Sequence, residues 1–294
     1  MSDQRVSPER VSHERVSHEI VSHEIVRTRG GALAVRSLAD NEVMHPGVGP
    51  LVEAEQLYVR QSRLQERLRA GGVGHTAPLV LLDVGLGAGS NALAARVVSE
   101  QAPPGSPRLD LYSFERDLGA LELALASGDA FGWRGEAAQA ARALLARGEH
   151  DTERTRWRLI RGDVLEALAR WTAPADVVFW DPFSPRANPA LWTVAAFATA
   201  RRAAGPRCTL FTYSASTATR LAMLLGGWAV GVGDAIGDKR QTTAAAADAG
   251  DLARPLDRRW LARLSRPDVP LPSDAPADVV ARASAAPQFT RQSS

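Results

Sequence analysis

The chain reads as an α/β protein: a doubly wound, mainly parallel, seven-stranded sheet preceded by an N-terminal extension. Three observations carry that reading. From residue 79 onward, short apolar runs alternate with alanine-rich helical patterns. Several of the runs end on a carboxylate or a glycine turn, as strands do where a site is built. The glycine turn Gly85-Leu86-Gly87-Ala88-Gly89 joins the first run directly to the first helical pattern, a strand–turn–helix junction.

The elements follow in order. Residues 5–26 repeat a five-residue unit: RVSPE, RVSHE, RVSHE, IVSHE. Period five suits neither helix nor strand. Residues 1–26 are therefore expected to be a disordered, low-complexity leader. His13, His18 and His23 recur in it without fixing a metal cage. Residues 27–74 form a preamble, in which Gly30-Gly31 marks a turn and 32–37 alternates as a strand. Residues 43–50 are a loop by their prolines and glycines, 51–68 carry helical spacing, and 71–74 are a glycine linker. The core spans 75–250. Its strands fall at 79–84, 109–114, 157–160, 176–180 and 207–213, with a closing hairpin at 228–232 and 241–247. Helices at 91–100, 118–127, 136–147, 164–171, 190–204 and 215–225 lie between them. The Pro-, Ala- and Ser-rich segment 251–294 reads as a mobile tail.

Composition bounds the classes. The 294 residues are 45% hydrophobic and 23% charged, as in a soluble globular domain. No run approaches the roughly 18 apolar residues of a membrane helix, and residues 1–27 lack the apolar core of a signal peptide. A cytoplasmic location and no membrane partner are the expectation. The single cysteine, Cys208, lies in an apolar run. It reads as a buried strand residue, and no disulfide framework or paired-cysteine metal site can form. A net charge of +2 excludes a polycation. The basic residues are nearly all arginine, Lys239 being the sole lysine. Arginine forks suit phosphate, so composition permits an RNA partner without requiring one.

In such sheets ligands bind beyond the carboxyl ends of the strands. That edge gathers Gly85, Glu115, Asp163 and Asp181, which are far apart in sequence. The turn spacing is G-x-G-x-G, whereas a dinucleotide fingerprint needs glycine where Ser90 stands. The shorter spacing, with Asp83 just before it, is used by S-adenosylmethionine (SAM) methyltransferases. Bare glycines let the backbone approach the cofactor, and an acidic side chain can accept from its cationic amino group. Glu115 can accept both ribose hydroxyls, or be a surface glutamate beside Arg116. Asp163 can meet an adenine amino group, cap the following helix, or do both. Asp181 leaves an apolar strand, and Pro182, Pro185 and Pro189 stiffen the loop after it. That aspartate either serves a site or caps a turn.

On these stretches the chain resembles the methyltransferase domain of the MnmC family, which modifies the wobble uridine of bacterial tRNA. Residues 83–91 match the family's acidic-x-G-F-G-T-G-x-N loop, and 179–192 match F-x-D-G-F-A-P-x-x-N-P-x-x-W. Residues 237–242 match a G-x-K-R-x-M-like segment, and 43–55 the family's preamble motif. The likeness covers residues 27–247. Four departures stand out: Asp83 for the usual glutamate, Pro182 for glycine, Ser184 for alanine, and Met44 for an aromatic residue.

The resemblance implies a Rossmann-like methyltransferase fold with SAM held by Asp83, Gly85, Gly87, Gly89, Asn91, Glu115 and Asp163. It implies methyl transfer to the amine of 5-aminomethyl-2-thiouridine in a tRNA anticodon stem-loop. Asp181 would orient that amine and help remove its proton. Phe183 would stack on the base, while Lys239 and Arg240 meet phosphates. The chain is too short to carry the flavin domain of the family's larger members, so a separate flavin oxidoreductase would act in the same pathway. Two other readings fit the residues. One is a SAM methyltransferase acting on a small-molecule or protein amine. The other is a degenerate SAM-fold module that binds RNA or a partner.

Overall fold

The computed structural model describes residues 22–28, 30–45, 47–70, 77–237, 239–266 and 268–290. Most of the pentapeptide repeat, with His13 and His18, lies outside the described residues, as does the 71–74 linker. Strand β1 (His23–Arg27) begins inside the segment expected to be disordered. It pairs antiparallel with β2 (Leu33–Ser37), and β2 pairs with β3 (Glu42–Val43). Ser22, His23 and Glu24 of the last repeat unit are thus among the described residues, the last two in β1. His23 is buried there and shares a 2.8 Å hydrogen bond with the Ser22 hydroxyl.

The predicted 51–68 helix is broken into three pieces. Helix α1 (Pro50–Glu53) starts on a proline, which suits a first turn. A π-helical segment, Ala54–Arg60, follows, and α2 (Leu64–Ala70) comes after a turn at Arg63 with φ +54°. The break frees Gln61 to bond outward. Its Nε2 donates to Thr242 Oγ1 at 3.2 Å, and its Oε1 accepts from the Asp234 N–H at 2.9 Å. This ties the preamble to the far end of the chain.

The main sheet is built around β4 (Leu79–Val84), buried at every position, as a strand covered on both faces must be. It continues with β5 (Leu109–Glu115), β6 (Glu149–Asp151), β7 (Thr155–Arg161), β8 (Ala175–Trp180), β9 (Ala204–Thr212), β10 (Ala229–Gly233) and β11 (Thr242–Ala246). The order across the sheet is β10-β11-β9-β8-β4-β5-β7-β6. Strands β7, β5, β4, β8 and β9 run parallel; β6 and the β10–β11 hairpin are antiparallel. The sheet has eight strands rather than the expected seven. The extra one, β6, is three polar residues long and too short to show a period.

Alternate residues of β4 serve two layers. Leu79 and Leu81 join one core beneath α3 (Ser90–Glu100), α4 (Gly119–Ala126), α5 (Gly135–Arg147) and the preamble. Val80, Leu82 and Val84 join the other, with α6 (Val164–Ala169), α7 (Val194–Ala203) and α8 (Thr217–Leu225). Cys208 is buried in β9, where burial pushes its thiol up to about 12. The strand order reverses at β4, so the crevice beyond its carboxyl end lies between β5 and β8.

The expected mobile tail is instead packed. Helices α9 (Arg258–Leu261), α10 (Val279–Ser284) and α11 (Pro287–Thr290) deliver Trp260, Val279 and Phe289 to the second layer. Gln288 clasps β10: its Oε1 accepts from the Val230 N–H at 2.7 Å, and its Nε2 donates to Val230 O at 3.1 Å. Among the described residues no helix is long and apolar enough to cross a membrane.

Candidate active site

The ends of β4, β5, β7 and β8, together with the preamble, enclose a cavity of about 610 Å³. That is within the roughly 300–1,000 Å³ of small-molecule sites. The glycine turn forms one wall. Gly85 has φ +88°, and a Cβ there would fall 2.6 Å from the Asp181 carbonyl oxygen. The backbones leaving β4 and β8 therefore interlock at this point, supported by a 2.9 Å bond from the Asp181 N–H to Val84 O. A Cβ on Gly87, φ +51°, would meet Met44 Sδ at 3.0 Å. Met44 thus packs directly against the turn.

Of the residues expected at the cofactor, Gly85, Gly87, Glu115 and Asp163 line the cavity, whereas Asp83, Gly89 and Asn91 do not. Glu115 Oε2 accepts from the Gly87 N–H at 3.0 Å, and Oε1 from the Arg116 and Asp117 N–H groups at 2.8 and 3.1 Å. It is a fixed wall residue and not a free surface glutamate. Asp163 takes the capping role. Its Oδ1 caps α6, accepting from the Leu165 and Glu166 N–H groups, while the residue borders the cavity.

The placement of Asp83 corrects the expectation that it faces the cofactor's amino group. Its cross-strand neighbour is Ser113, whose hydroxyl donates to Oδ2 at 2.7 Å. Asp83 is fully buried, and Oδ1 has no partner among the described residues. Burial, partly opposed by Ser113, raises its carboxyl to about 7. Gly89 lies over Trp133, whose Nε1 donates to Ala88 O at 3.1 Å and props the turn from below. Asn91 turns its Nδ2 toward Asp181 Oδ2, at 2.7 Å.

Asp181 is the centre of the polar end. Burial raises its carboxyl, with His45 as the main opposing influence. His45 stands between two acids: Nε2 is 3.6 Å from Asp181 Oδ2, and Nδ1 is 3.7 Å from Glu53 Oε2. Burial alone would lower the imidazole, but Asp181 and Glu53 outweigh it and the net shift is upward. Glu53 moves the other way, below its ordinary value: burial raises it, and His45 and Lys239 more than offset that. Lys239 Nζ lies 3.4 Å from Glu53 Oε1 and 4.6 Å above the Tyr213 ring. The Tyr58 hydroxyl, buried beside Asp181, makes no hydrogen bond of normal geometry.

Phe183 and Lys239 line the cavity, whereas the exposed Arg240 lies outside it, in a shallow groove with Lys239, Gln241, Tyr213 and Ala215. The proline loop is pinned from several directions. Trp192 Nε1 donates to Phe183 O at 2.8 Å, and the Tyr213 hydroxyl donates to Pro182 O at 3.0 Å. Ser184 donates twice to Glu42, from its N–H to Oε1 at 2.8 Å and from its Oγ to Oε2 at 2.6 Å. Sequence reasoning did not assign roles to His45, Glu53, Tyr58 or Glu42. The first two lie in a stretch matched as a motif, but nothing in the sequence states that they meet Asp181.

Residues 136–248 match a family of S-adenosyl-L-methionine-dependent methyltransferases. A curated relative from Pseudomonas aeruginosa (strain UCBPP-PA14), the tRNA 5-methylaminomethyl-2-thiouridine biosynthesis bifunctional protein MnmC, is 32% identical over 204 residues. The match covers 65% of this chain and 30% of that one. The protein of the same description from Ralstonia nicotianae (strain ATCC BAA-1114 / GMI1000) is 30% identical, covering 70% and 32%. The matched region thus spans about a third of the length of these relatives. The crystal structure of MNMC2 from Aquifex aeolicus shares the fold, with a TM-score of 0.70 at 24% identity, over 91% of this chain and 86% of that one.

Proposed function

We propose that this chain, whose core is a methyltransferase domain of the MnmC type, methylates the aminomethyl group of 5-aminomethyl-2-thiouridine at the tRNA wobble position. The observation that carries this reading is the buried Asp181 carboxylate, fixed by Asn91 at the end of β8 and facing the same cavity as the glycine turn. When bound, SAM supplies the electrophilic methyl. The residues suit that cofactor. The glycine turn lines the cavity at Gly85 and Gly87, and Glu115 and Asp163 offer acceptors along the next two strand ends.

The rest is the work of the chain's own groups. Asp181 accepts a hydrogen bond from the acceptor amine and holds its nitrogen in line; alignment at about 3–3.5 Å is what makes such a transfer efficient. Phe183 gives a face on which an extruded base can stack. Lys239 and Arg240, at the rim, meet backbone phosphates. Seen this way, Asn91 acts on Asp181 rather than on the cofactor, and Asp83 ties the end of β4 to Ser113 of β5.

The test is single-turnover methylation of tRNA carrying 5-aminomethyl-2-thiouridine. Asp181→Asn is expected to lose about 10²-fold or more in rate, the scale of a positioned acid–base group, while calorimetry shows SAM still bound. Wild type that methylates a small amine or a protein but not this tRNA would move the assignment to that acceptor. Wild type that binds SAM and methylates nothing would favour a binding module.

A further inference from the structure

An aliphatic amine is an ammonium ion in neutral water and has no lone pair to attack with until a proton leaves. An ordinary aspartate, with a pKa of about 3.9, is a weak acceptor for that proton; burial raises the Asp181 carboxyl, but the neighbouring His45 opposes that rise. A base works best when its pKa lies near the operating pH, which is the range of histidine. His45 borders the cavity with Nε2 toward Asp181 and Nδ1 toward Glu53. Its backbone is in the left-handed region, φ +53°. Few non-glycine residues adopt that conformation, and such strain gathers at functional sites.

We propose that His45 is the proton acceptor of the reaction, taking the proton from the ammonium that Asp181 holds, while Glu53 orients the imidazole. The inference rests on the amine-acceptor reading above. An N–H bond of the ammonium breaks, its electron pair stays on the amine nitrogen, and the proton ends on Nε2 of His45. Glu53 in turn is held by Lys239. Two carboxylates and one imidazole, all buried, and the half-exposed ammonium of Lys239 thus form a chain whose charges balance when His45 is protonated. The groups facing His45 are Asp181 after β8, Glu53 on α1, Lys239 before β11 and, beyond them, Tyr58, Tyr213 and Asp83. The upward shift of the imidazole is what Asp181 and Glu53 together would produce.

The decisive variant is His45→Gly, because glycine adopts φ +53° without strain and leaves an imidazole-sized hole. The single-turnover rate is expected to fall about 10²-fold, SAM affinity to stay near wild type, and added imidazole to restore part of the rate. The wild-type rate should rise with pH through a value above 6.5, and that limb should vanish in the variant. In the free protein, NMR of the His45 ring should show the same raised pKa, dropping in Glu53→Gln. A His45→Gly enzyme with wild-type rate and pH profile overturns the proposal. So does a loss of rate that imidazole leaves unchanged. If wild type does not methylate the tRNA, the acceptor reading fails separately. The NMR titration then decides: a His45 pKa at or below 6.5, indifferent to Glu53→Gln, overturns the relay.

Discussion

At the scale of single residues, the most consequential placement is Asp83. The folded protein holds its proton up to about pH 7, whereas an unfolded chain releases it near 3.8. The folded state therefore binds more protons between those values. The contribution to stability is fully present below about pH 4, fades as pH rises, and is gone above about pH 7. Asp83→Asn keeps the shape and can still accept from Ser113 Oγ. It is expected to flatten the pH dependence of the melting temperature across that window and to raise the melting temperature at about pH 8. The effect is on the order of a few kcal/mol, at about 1.4 kcal/mol per pH unit. Thermal melts of both proteins across the window check this, and parallel curves would place the titration elsewhere. The misplaced role of Asp83 has a physical origin. Every position of β4 is buried, so no alternation in the sequence reveals which face the aspartate takes.

At the scale of elements, the proline loop owes its position to the preamble as much as to its own prolines. Ser184, where the family has alanine, spends both its hydroxyl and its N–H on Glu42 of β3. Ser184→Ala removes one bond to a charged carboxylate, a loss of about 1.5–3 kcal/mol where such a bond is buried and less where water competes. Because Phe183 sits beside it, the expected kinetic signature is a higher KM for the methyl acceptor with SAM affinity unchanged. Steady-state kinetics with each substrate varied in turn separates the two. Strand–turn–helix junctions were legible because each is local: apolar run, glycine, helical spacing. The His45–Asp181 approach was not, since it joins residues 136 positions apart through loops that carry no period.

At the scale of the whole molecule, residues 22–26 and the tail depart from the sequence expectation for one reason. Both are poor in periodic hydrophobicity, yet both contain isolated anchors. In the tail these are Trp260, Leu264, Val279 and Phe289, spaced too widely to form a pattern but all buried in the second layer. At the start, β1 survives on backbone pairing to β2 and on the buried His23. A chain starting at Thr28 is therefore expected to melt lower than one starting at Ser22, a comparison calorimetry makes directly. The clasp of Gln288 on Val230 has a further consequence, for solubility. Strand β10 is the outermost of the sheet on its side, and a bare outer strand is a template on which another polypeptide can add. By occupying both the N–H and the C=O of Val230, one amide side chain imitates the neighbour that would otherwise recruit a second molecule. Gln288→Ala should leave the cavity untouched but make the protein self-associate as its concentration rises. Sedimentation over a concentration series would read this out, and a variant that stays as dispersed as wild type would show that residues 254–256, which also bond to this strand, suffice alone.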